Sequence, residues 1–131
     1  MISYIVKSKK NPIDSSVKYY AQSAPTMPVS FSTIAKNISS RCTVTEPDVL
    51  AVLNALQTEI INAMQNGQSV RLGQIGSFRP TLSSKGVANK DDVSGDLIRA
   101  VRARFTAGSQ LRSALQITNA DVQFVKYNEK A

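Results

Sequence analysis

Five arginines, Arg71, Arg79, Arg99, Arg102 and Arg104, fall in β-prone stretches and are the residues of this chain best equipped for recognition chemistry. A guanidinium is planar, permanently charged and forked, so it can hold a phosphate or carboxylate by two parallel bonds. Along residues 97–105 the alternation puts Leu97, Val101 and Phe105 on one side with Arg99, and Ile98, Arg102 and Arg104 on the other. One face is largely apolar and the other carries a basic stripe. The whole chain agrees with a polyanionic partner, since its 131 residues carry a formal charge of +7 and a pI near 9.8. Nucleic acid fits that balance, as does an acidic membrane surface.

Other chemistries have little to work with. Cys42 is the only cysteine and histidine is absent, so an internal disulfide framework is excluded and the commonest zinc ligands and general bases are missing. No nucleophile sits beside a base, no phosphate-binding loop is present, and no catalytic residue, cofactor or metal is expected. Asp91, Asp92 and Asp96 lack the spacing of a full divalent-cation set and read as a solvated acidic tip. Cys42, after a helix end, reads as a small buried plug. Gly73 and Gly76 match a Gly-x-x-Gly loop only superficially, because that loop joins two helices and this one lies between strands. Lys7, Lys9, Lys10 and Lys18 interleave with Tyr4, Tyr19 and Tyr20, a pattern that can stack on nucleic acid; the plainer reading is edge-strand lysines with tyrosines packed on the core.

Several elements must position these residues. Runs at Tyr4 to Val6 and Val17 to Ala21 flank a turn-forming cluster and predict a hairpin, followed by a linker rich in proline and small residues. From Ser30 the period becomes helical through Phe31, Ile34, Ala35 and Ile38, ending near Ser40. Thr45, Pro47 and Asp48 form a strong helix start. Val49, Val52, Leu53, Leu56, Ile60, Ala63 and Met64 then line one side, widened by Ile61, and Asn66-Gly67 is a stop signal. That apolar side needs more partners than one short helix offers. Ser69 to Leu72 and Ile75 to Arg79 are predicted strands around Gly73 and Gly76, residues 83–95 a mobile loop or arm, and 97–105 a further strand. A short helix over Gln110 to Gln116, capped by Ser109, and a last strand over Val122 to Tyr127 complete the chain, the strand pairing with the N-terminal hairpin. The amino terminus has its lysines after a short apolar run, the reverse of a secretory signal, and no run approaches the roughly 20 residues of a membrane helix. A cytoplasmic protein is expected, with no membrane and no small-molecule substrate as partner.

This order of elements resembles the HU and integration-host-factor family of bacterial DNA-bending proteins. The residues that carry the resemblance are Val44-Thr45, Asn66-Gly67-Gln68-Ser69-Val70-Arg71-Leu72 with Gly76-Ser77-Phe78, and Phe105-Thr106-Ala107-Gly108-Ser109-Gln110-Leu111 running on to Leu115. The N-terminal hairpin, Tyr19-Tyr20-Ala21 and the start of the arm at Ser83 are similar to the variant common in Bacteroidetes. The resemblance implies an α+β fold: an HU-like intertwined dimer with a helical base, a β-sheet saddle and β-arms, plus an N-terminal hairpin and a C-terminal strand. The corresponding division is 1–29 as hairpin extension and linker, 30–117 as the HU-like domain, and 118–131 as terminal strand and tail.

What the resemblance implies for function is sequence-tolerant binding of double-stranded DNA by a homodimer of the nucleoid. Phosphates would be held at Gly76, Ser77, Gly108 and Ser109, since exposed N–H groups and helix N-termini are partly positive. The arginine stripe and the arm lysines Lys85 and Lys90 would add to them. Three departures weigh against sharp bending. No Arg-Asn-Pro run lies between Ser83 and Asp96 to wedge between base pairs. Lys85 and Lys90 are opposed by Asp91, Asp92 and Asp96, so the arm gains little from counterion release. Ser109 stands where the family usually has a lysine. The alternative is a non-enzymatic interaction or structural protein that keeps the dimer scaffold and turns its arm and hairpin toward protein partners.

Overall fold

The computed structural model describes residues 1–127. Along the chain these form β1 (Ile2–Lys10), β2 (Val17–Ser23), α1 (Phe31–Ser39), α2 (Glu46–Gln65), β3 (Val70–Leu72), β4 (Gly76–Ser84), β5 (Ile98–Ala107), α3 (Ser109–Ala114) and β6 (Phe124–Lys126). The predicted tail beyond residue 127 lies outside the described residues. The chain divides into two units, one built from both ends (Met1–Pro28 with the residues from Ser113 onward) and one from Val29–Arg112. It is a mixed α+β fold with two separate three-stranded sheets.

In the first unit β1 and β2 form an antiparallel hairpin from Tyr4↔Ser23 to Lys10↔Val17, and β6 runs parallel to β1 through Ile2↔Phe124 and Tyr4↔Lys126. The hairpin turn follows from its Asn and Asp residues, which bond the backbone two residues on. Asn11 Oδ1 accepts from the Ile13 N–H at 3.0 Å, and the Asp14 carboxylate accepts from the Ser16 N–H at 3.0 Å and its hydroxyl at 2.7 Å. Those two Ser16 bonds hold the Asp14 carboxyl below its ordinary range. Tyr19 and Tyr20 do not pack on a core, as the plainer reading of the sequence had it: they are 72% and 48% exposed, because a three-stranded sheet offers two faces and few residues to cover them.

In the second unit local signals set both long helices. Ser30 caps α1, its hydroxyl accepting from the Thr33 N–H at 3.3 Å. Thr45 caps α2 by accepting from Asp48 N–H at 3.4 Å, with Pro47 in the first turn and Glu46 and Asp48 at its positive end. The helix stops where Gly67, at φ +75°, lets its own N–H reach the Met64 carbonyl and that of Gln68 the Ala63 carbonyl. Between the helices the chain makes a short turn and bend outside any helix or strand, and Cys42 is exposed there, which corrects the expected buried plug.

The second sheet has the order β3-β4-β5, all antiparallel. β4 runs past the predicted stop at Arg79 through Pro80 to Ser84. β3 pairs only as far as Phe78, so at Pro80 one edge of β4 is open and a missing N–H there breaks no ladder on that side. The arm predicted over 83–95 starts later: residues 85–97 make two single 3₁₀ turns, Lys90–Asp92 and Gly95–Leu97, closed by a 2.9 Å bond from the Lys85 N–H to the Leu97 carbonyl. Phe78 and Phe105 stand opposite each other with ring centroids 5.0 Å apart. Yet among the described apolar residues only Ala24, Ala35 and Val49 are buried, while Val52, Leu82 and Val101 are each more than 60% exposed. An apolar groove of about 400 Å³, lined by Ile60, Ile61, Met64, Phe78, Pro80 and Val101, lies open between α2 and the sheet.

Candidate nucleic-acid interface

The register of the second sheet decides which side chains share a face. Val70 pairs with Phe78, Leu72 with Gly76, Phe78 with Phe105, Pro80 with Ala103 and Leu82 with Val101. Residues opposite one another point to the same side, so these form the apolar face, and Phe78, Pro80, Val101 and Ala103 line the groove against α2. The other face collects Arg71 opposite Ser77, Arg79 opposite Arg104, and Thr81 opposite Arg102, with Thr106 opposite Ser77 on the far strand. All four arginines are exposed, and β3, β4 and β5 contain no acidic residue.

Arg99 stands apart from the other four arginines. The ladder passes from Ser83↔Ala100 to Ser84↔Ile98, a bulge that leaves Arg99 without an opposite residue. Its guanidinium donates to the Ser84 carbonyl at 3.3 Å, which ties the arginine to the strand end. Conversely, Thr81, Ser83 and Thr106 join the basic face as hydroxyl neighbours that sequence reasoning overlooked. For Thr81 and Ser83 the signal is the period-2 alternation of β4 carried through Pro80, and for Thr106 it is that of β5 carried one residue past Phe105.

The glycine corner is built for close approach. Ile75 donates to the Leu72 carbonyl at 3.0 Å and Gly108 to the Ile75 carbonyl at 2.8 Å, which docks the β3–β4 turn onto the end of β5. At Gly76, with φ +153°, a Cβ would strike the Thr106 carbonyl and the Phe105 ring; at Gly108 it would strike the Gln74 carbonyl. Gly76 is buried and the Gly108 N–H is engaged within the corner, so the outward groups here are Ser77, half-buried on the arginine face, and Ser109, exposed at the start of α3. Lys85 and Lys90 are exposed in the 85–97 loop, Lys90 sharing its 3₁₀ turn with Asp91 and Asp92. Among the described residues no group of His, Cys, Asp and Glu could hold a metal ion, and no helix is long and apolar enough to cross a membrane.

Residues 1–122 match the family model described as an HU domain fused to wHTH, Ig, or Glycine-rich motif, HU-HIG. The chain belongs to the HU-HIG family. A solved relative of similar fold is a candidate bacterial DNA-binding protein from Bacteroides vulgatus ATCC 8482, 18% identical with a TM-score of 0.61 over 98% of this chain and 49% of that one. This HU-HIG chain therefore spans about half the length of that protein. Anabaena HU, solved as a cocrystal with DNA, is 22% identical with a TM-score of 0.50, covering 66% of this chain and 95% of that one. Both likenesses are of fold. No curated protein matches the sequence. The match gives this HU-HIG chain an architecture of HU type.

Proposed function

We propose that the chain binds double-stranded DNA with little regard to sequence, holding phosphates on the face formed by Arg71, Arg79, Arg102 and Arg104. The observation that carries this reading is the direct opposition of Arg79 and Arg104 on a face without acid. Forked guanidinium groups flanked by Ser77, Thr81 and Thr106 hydroxyls suit backbone oxygens, which position a protein but carry no sequence information. Anabaena HU, of similar fold, was solved as a cocrystal with DNA. Ser109 adds a hydroxyl, and Gly76 and Gly108 act by shaping the corner that presents it.

The acting species is a homodimer, supported by the apolar side of α2 and of the sheet that one copy leaves uncovered. A second copy on that side would complete the core and leave both arginine faces outward. The architectural role is compaction without a sharp kink, because residues 85–97 hold no proline wedge and balance Lys85 and Lys90 against three acids. The bacterial nucleoid is the corresponding location.

Fluorescence anisotropy with unrelated labelled duplexes across a salt series tests this. Comparable affinity for each duplex, falling steeply with salt, is the expected result. Flat, absent binding at low ionic strength would overturn it.

A further inference from the structure

The N-terminal sheet carries a second basic face, on the unit that does not contain the arginines. In the β1–β2 register Lys9 stands opposite Lys18 and Lys7 opposite Tyr20, so these four share one face. Lys9 Nζ lies 6.0 Å from the centre of the Tyr20 ring, and all four residues are exposed. Asp14, the hairpin's only acid, sits in the turn with its carboxylate bonded to Ser16. A hollow of about 240 Å³ is lined by Lys9, Lys18 and Tyr20 together with turn residues.

Edge protection explains part of this pattern, because a lysine on an edge strand discourages pairing with another chain. It does not call for two lysines directly opposed, an arrangement that costs stability. Nor does it call for an exposed tyrosine beside them, opposite a third lysine. Lysines along a strand at every second residue are about 6.8 Å apart, a span on the scale of one nucleotide of an extended strand. A duplex keeps its base faces stacked inside, whereas a single strand offers them to an aromatic ring.

We propose that Lys7, Lys9, Lys18 and Tyr20 form a binding face for single-stranded nucleic acid, the lysines holding neighbouring phosphates and the Tyr20 ring stacking on a base. The site is independent of the duplex reading, since it lies on a different sheet and uses none of the arginines. Lys9 Nζ lies over the Tyr20 ring, so a phosphate held by Lys9 would sit next to a base stacked on that ring. Because every base has a π-face, the site tolerates sequence.

The test uses the full chain carrying Arg71→Ala, Arg79→Ala, Arg102→Ala and Arg104→Ala, which removes the arginine face, with a labelled oligo-dT read by fluorescence anisotropy. Binding should persist in that background. Lys9→Ala with Lys18→Ala should weaken it at least tenfold and lower the salt slope by roughly 1.4, about 0.7 for each phosphate released from contact on a single strand. Tyr20→Leu should weaken it about tenfold, while Tyr19→Leu, on the opposite face of the same strand, should leave it unchanged. Circular dichroism of each variant reports whether the sheet is kept, and Lys9→Gln with Lys18→Gln supplies a second charge-free pair. Binding indifferent to these lysines and to Tyr20, or a duplex that competes as well as the single strand, would overturn the proposal.

Discussion

Arg79 and Arg104 stand directly opposite each other across β4 and β5, two full positive charges on neighbouring strands with no acid in the sheet. Like charges in that position destabilise a sheet by up to about 1 kcal/mol, and exposure and salt reduce the effect. Such a pair serves a bound anion better than it serves the free fold. Arg104→Ala is therefore expected to move stability and binding in opposite directions. Thermal unfolding of the free protein at low ionic strength should rise slightly, by a few tenths of a kcal/mol, and the gain should fade with added salt. Duplex affinity should fall, and the slope of log affinity against log salt should drop by about 0.9 if one phosphate contact is lost. Unchanged affinity and slope would count against the arginine face.

The glycine corner makes a separate prediction. Gly76→Ala must place a Cβ against the Thr106 carbonyl and the Phe105 ring at a φ of +153°, so neither backbone nor neighbours can accommodate it. A loss of about 2 kcal/mol or more in urea unfolding is expected, from strain plus displaced packing. Gly86→Ala, where nothing lies within 4 Å and φ is ordinary, should change stability little. Equal effects of the two substitutions would show that the corner is not the constrained element described.

What was legible in the sequence was mostly local. Ser30, Thr45 and Gly67 act within a turn of their helices, so the residue types alone marked both helix starts and the stop of α2. The strand pattern of residues 97–105 likewise revealed the Arg102 and Arg104 face. Alternation alone does not place Arg99, because its position depends on a bulge, and a bulge is a property of two strands together rather than of one run of residues. β4 was cut short at Pro80 because proline argues against a strand unless an edge is open beside it, which only the short β3 reveals. Cys42 and the tyrosines of β2 were expected inside because their side chains are apolar or amphipathic, yet burial is decided by what packs over them, and here little does.

The open apolar side of α2 predicts association. Val52 is 64% exposed in the single chain, where a polar replacement should matter little. If a second copy covers it, Val52→Asp places a carboxylate in an apolar interface and should cost about 2 kcal/mol or more for each copy. Analytical ultracentrifugation should show a dimer for the unaltered chain and a shift toward monomer for the variant, with a melting temperature of the unaltered chain that rises with protein concentration. A variant as stable and as large in solution as the unaltered chain would place the interface elsewhere.

The loop of residues 85–97 offers the last test, because its charge balance rather than its length limits what it can add. Lys85 and Lys90 are countered by Asp91, Asp92 and Asp96, and the two 3₁₀ turns hold Asp91 and Asp92 beside Lys90 and Asp96 close behind. Asp91→Asn with Asp92→Asn removes two negative charges without adding bulk and gives the loop a net positive charge. If the loop lies along a duplex held on the arginine face, removing repulsion from the phosphates should raise affinity several-fold at low salt, with the gain shrinking as the Debye length falls below about 8 Å. Stability should change by no more than about 0.5 kcal/mol, since both residues are exposed. Affinity that stays the same in low salt would mean the loop points away from DNA, leaving the arginine face to act alone and freeing the acidic tip for a protein partner.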